Sequence, residues 1–150
     1  MENARDVVVI LAIAIALALA MRGVIEYARA NALRRARRFH EMRVRFDTDP
    51  GIQAVCRLLH GTGAEHVSQQ QKEVFISFFE EVHFMVGSGI LKRDLALYAF
   101  GSHAREAARN DRFWSGLDAA SPFHEQFRRF ADEAQSYVPD ANPQPSAFRF

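Results

Sequence analysis

Apolar positions recur along this chain with the period of a helix, and they do so in two different ways. From Val7 to Met21 the run VVVILAIAIALALAM has no polar side chain, so a helix here would be apolar on every face. From Val74 the pattern is one-sided. Val74, Phe75, Phe78, Phe79, Val82, Met85 and Val86 return at steps of three and four, the mark of an amphipathic helix with one face on a core. No alternating strand pattern of useful length occurs, and the predicted fold is all-α.

The first run reads as a membrane anchor. Fifteen helical residues reach only about 22 Å, short of the ~30 Å hydrocarbon layer, so the span is expected to extend to about Tyr27. Val7, Ile10, Leu11, Ile13, Leu17 and Met21 would face lipid. The nine valines, isoleucines and leucines of the run each favour insertion by roughly 0.3–0.6 kcal/mol, and their sum outweighs one peripheral arginine able to snorkel. Two other readings compete. A cleaved export signal could use Ala18-Leu19-Ala20, but the start MENARD is not basic. A buried core helix is the other alternative. Ala12, Ala16, Ala20 and Gly23 recur near one face and could admit a second membrane helix, although an alanine-rich composition accounts for them as well.

Charge fixes an expected orientation. Residues 22–45 hold eight arginines (among them Arg22, Arg29, Arg34, Arg35, Arg37 and Arg38) against Glu26 and Glu41, a net of +6. Basic residues close to a span stay on the cytoplasmic side. The amino terminus is therefore expected outside a bacterial inner membrane and everything after Arg22 inside. The same arginines would contact anionic lipid headgroups or an acidic protein partner. Nucleic acid is disfavoured because residues 46–150 carry a net −4. Cys56 is the single cysteine and cannot close an internal disulfide.

The expected organisation is an anchor over 1–27, an arginine-rich juxtamembrane helix over 28–46, a helical domain of about five helices over 47–138, and a proline-containing tail over 139–150. Val24 to Phe46 contains no helix breaker, and Leu33, Ala36, Phe39 and Met42 or Phe46 form a narrow apolar stripe. Asp49-Pro50 starts the next helix, which stops at Gly61. Ser68 with Gln71 makes a capping box ahead of the phenylalanine helix, which Gly87-Ser88-Gly89 closes. A short helix is expected from Lys92 to Phe100, ended by Gly101. Another is capped by Ser102 and carries Phe113, Trp114 and Leu117, and a last one opens at Ser121-Pro122 with Phe123, Phe127 and Phe130. Phe75, Phe78, Phe79, Val82, Trp114 and Phe127 are the expected core.

The segment EVFISFFEEVHFMVGSGILKRDLALYAFG, followed by a helix bearing Trp114, resembles a bacterial family described as domain of unknown function 4760. The matching features are Phe78-Phe79-Glu80-Glu81, the turn Gly87 to Gly89, the stretch Asp94 to Gly101, and Trp114. Lys92-Arg93 and His83 depart from the family pattern. The resemblance implies a membrane span joined to a helical domain, and it carries no activity or catalytic residue.

Glu80-x-x-His83 has the spacing of a di-iron ligand pair, but such sites need a second copy and two further glutamates. Glu80 and Glu81, neighbours on a helix, do not face each other. No phosphate loop, zinc pattern or nucleophile elbow is present. No cofactor, metal or catalytic residue is expected. The expectation is a membrane-anchored, non-catalytic interaction or scaffold protein, an accessory subunit or a self-assembling one. The alternative is a membrane-tethered sensor or effector whose helical domain answers to a ligand.

Overall fold

Asp49 separates the two helices that begin the structure. Its backbone is extended, and its Oδ1 accepts from the amides of Gly51 (2.8 Å) and Ile52 (3.1 Å), two of the donors a helix start leaves without partners. The computed structural model describes residues 2–62 and 66–137, with no side-chain description for residues 2–10 and 12. Before Asp49 runs α1 (Glu2–Thr48), and after it α2 (Pro50–Leu59). Then follow α3 (Gln69–Gly87), α4 (Arg93–Ala108), the single turn α5 (Asp111–Trp114), a 3-10 turn (Pro122–His124) and α6 (Glu125–Ser136). The described residues contain no strand.

The chain divides into two units, one ending at Ala36 and the other beginning at Arg37. In the first unit α1 passes Gly23 without a break. Among the described residues no helix is long and apolar enough to cross a membrane. The transmembrane helix expected over residues 1–27 is thus not supplied by the described part, and the side chains of Val7, Ile10 and Ala12 lie outside it. The tail after Tyr137, with Pro139, Pro143 and Pro145, lies outside the described residues as well.

The second unit is built on phenylalanine. Phe75, Phe78, Phe79 and Val82 of α3 are fully buried, together with Phe100, Phe113 and Phe127. Their rings meet at tilted or edge-on angles: Phe75 and Phe79 at 4.8 Å, Phe78 and Phe100 at 5.3 Å, Phe79 and Phe127 at 5.8 Å. Those geometries suit the ring quadrupole and add about 0.5–1.5 kcal/mol per pair to area burial. Trp114 is partly buried at the edge, and its indole N–H donates to the Ala108 carbonyl at 3.0 Å. α3 packs on α2 and α6, and α4 packs on α6.

Two boundaries differ from the sequence expectation. The last turns of α1 belong to this core, since Met42 and Phe46 are buried and Phe46 lies 5.3 Å from Phe78, whereas Leu33 is exposed. The expected stop at Gly101 is absent. α4 runs through it to Ala108, and Ser102 lies inside the helix instead of capping a new one. A Cβ at Gly101 would sit 3.1 Å from that of Ala134, so the glycine sets how closely α4 and α6 approach. The cap that does start α5 is Asn110, whose Oδ1 accepts from Arg112 and Phe113. The capping box of Ser68 and Gln71 is formed on both sides.

Candidate functional site

Three regions concentrate chemistry. The first is the surface of α1 ahead of Ala36. Leu11, Ile13, Ile15, Leu17, Leu19, Met21, Val24, Ile25 and Tyr27 are all more than half exposed, so large apolar side chains meet solvent around the whole helix. Ala16 and Ala20 are exposed too, and nothing lies within 4 Å of a Cβ built on Gly23, so this small-residue stripe carries no partner among the described residues. Arg22 pairs with Glu26 at 2.9 Å. Among the described residues Arg29, Arg34, Arg35 and Arg37 form no ion pair, while Arg38 meets Glu41 at 3.0 Å.

The second region lies in the helical unit, where the start of α3 meets α5. Lys72 falls on the inward face of α3, one turn before Phe75 and Ile76, and only 5% of it is exposed. Its Nζ donates to the carbonyls of Arg112 (3.1 Å) and Ser115 (2.6 Å), the chain around the end of α5. Burial pulls its ammonium below the ordinary lysine range. A cleft of about 610 Å³ opens beside it, lined by Leu58, His66, Val67, Gln69, Lys72, Arg112, Ser115 and Gly116. Sequence reading missed this place. The available signal was a lysine standing in register with the apolar stripe of α3.

A third cluster joins α1, α2 and α4. The His103 ring meets that of Phe46 at 4.9 Å and that of His60 at 6.0 Å, both edge-on. Burial lowers the pKa of His103 and His60 lowers it further, with Glu106 opposing. Cys56 is buried nearby, and burial, followed by Glu106, pushes its thiol up to about 11. A thiol held protonated in this way is a poor nucleophile.

The Glu-x-x-His residues do not converge. Glu81 pairs with Arg45 at 2.5 Å, and burial raises the carboxyl of Glu80. His83 leans on Phe130, ring centroids 6.3 Å apart, with its buried Nδ1 unpaired. Among the described residues no three histidine, cysteine, aspartate or glutamate side chains are placed to hold a metal ion.

Neither a family model, nor a curated protein, nor a solved structure matches this chain. The resemblance to the uncharacterised bacterial family therefore rests on the quoted residues alone.

Proposed function

We propose that this protein is a membrane-anchored, non-catalytic interaction protein, an accessory subunit of a larger inner-membrane complex or one that assembles with itself. The observation that carries the reading is the order along α1: the unbroken apolar run Val7 to Met21, then eight arginines by Arg45. A helix apolar on all faces needs an apolar surrounding. The exposed Leu11, Ile13, Ile15, Leu17, Leu19, Met21, Val24, Ile25 and Tyr27 would supply part of that surface, and a cytoplasmic placement of the helical unit follows from the arginines. Those side chains are also available to anionic headgroups, where each gains about 1 kcal/mol.

A filled core favours scaffolding over a ligand response seated among the aromatics. Seven phenylalanines at 1% exposure or less occupy the centre of the unit, leaving polar groups to its rim. The alternative, a tethered sensor or effector, is favoured by one observation only, the cleft beside Lys72. Purification of the tagged full chain from alkaline-washed membranes in mild detergent, followed by mass spectrometry, tests the proposal. It predicts retention in the washed membrane and a stoichiometric membrane partner or a self-assembly. Release by the alkaline wash, or recovery as a lone monomer, would count against it.

A further inference from the structure

We infer that the cleft between the start of α3 and α5 is a binding site for a small molecule carrying a phosphate group. This does not rest on the membrane reading. The starting point is a largely buried lysine with no counter-ion among the described residues. An ammonium taken out of water is costly unless paired, and two neutral carbonyls compensate it only in part. Lys72 has three N–H donors, of which Arg112 and Ser115 accept two. Six ion pairs join described residues, and neither Lys72 nor Arg112 takes part in any of them.

The lining gives the ligand its chemistry. Arg112 adds a second permanent cation at the exposed mouth, and the His66 ring, the Gln69 amide and the Ser115 hydroxyl add further donors. None of the described lining residues is acidic. A phosphate monoester brings three acceptor oxygens and a charge of about −1.5 to −2 at neutral pH, which matches a pair of cations better than a single carboxylate does. Leu58 and Val67 form an apolar wall on which the rest of such a molecule could lie, and a cleft of about 610 Å³ is of the size small ligands occupy.

The test is isothermal titration of the full chain in non-ionic detergent with glycerol phosphate, inorganic phosphate and acetate, backed by melting curves. Expected are saturable one-site binding of the phosphates, a melting temperature that rises with them, and no comparable effect of acetate. Lys72→Met, which keeps the apolar stem, should weaken binding by roughly tenfold or more. Should that variant fail to fold, Arg112→Gln combined with His66→Gln removes an exposed cation and an exposed imidazole and should weaken binding as strongly. The proposal is overturned if no phosphate binds saturably, if acetate binds equally well, or if the folded variants bind like the parent. In any of those cases Lys72 serves only to clamp the carbonyls of α5.

Discussion

His103 is a side chain whose charge state depends on its place in the fold. Its ring is wedged against Phe46 and faces His60, and Arg43 adds repulsion while Glu106 and Asp47 attract. The sum lowers its folded pKa below the ordinary 6.5. The unfolded chain therefore takes up the proton first. Stability contributed by neutral His103 is present above pH 6.5 and is lost as pH falls through and below that value. Urea unfolding of the full chain at a series of pH values should show this loss, and His103→Gln should flatten it. An unchanged profile in the variant would assign the effect elsewhere. Cys56 is a poor nucleophile for the same reason of burial, which keeps its thiol protonated.

The elements turn on backbone contact as much as on side-chain pattern, and Gly101 is the test case. It sits inside α4 where helix propensity alone favours alanine by about 1 kcal/mol, yet it faces the Cβ of Ala134 on α6. Replacing Gly101 by valine puts two further carbons into a space that already lacks room for one. Overpacking of this kind costs about 1–3 kcal/mol, so Gly101→Val should lower the urea midpoint by the corresponding amount without altering the helical signal. The same position explains what was legible in the sequence and what was not. Caps at Asp49 and Ser68 and the phenylalanine stripe of α3 were readable because each is a local device with its own residue types. Gly101 resembles a helix stop locally, and its actual role depends on α6, far along the chain. The inward register of Lys72 was there to be read, but its carbonyl partners were not, since they lie 40 and 43 residues away. Met42 and Phe46 lay in the expected stripe of α1, but only tertiary packing could tell that these two are buried while Leu33, also in that stripe, is not.

At the scale of the whole molecule the reading depends on arginines as an orientation signal. The apolar run would insert equally well in either direction, because hydrophobic transfer has no sense along the helix axis. Direction comes from charge, and here the asymmetry is large: residues 22–45 carry a net +6, while residues 1–21 sum to −1. Changing Arg22, Arg29, Arg34, Arg35, Arg37 and Arg38 to glutamine cancels that +6 while preserving residue types that form helices well. Reporters fused to the carboxyl end, one active only in the cytoplasm and one only outside, should read cytoplasmic for the parent. For the six-fold variant they should read a mixed or inverted population. The helical unit of such a variant keeps Arg45 and its pairing with Glu81, so loss of folding is not the expected cause of any change. If parent and variant report the same side, the arginines do not set topology, and contact with anionic headgroups or an acidic partner is left to account for them.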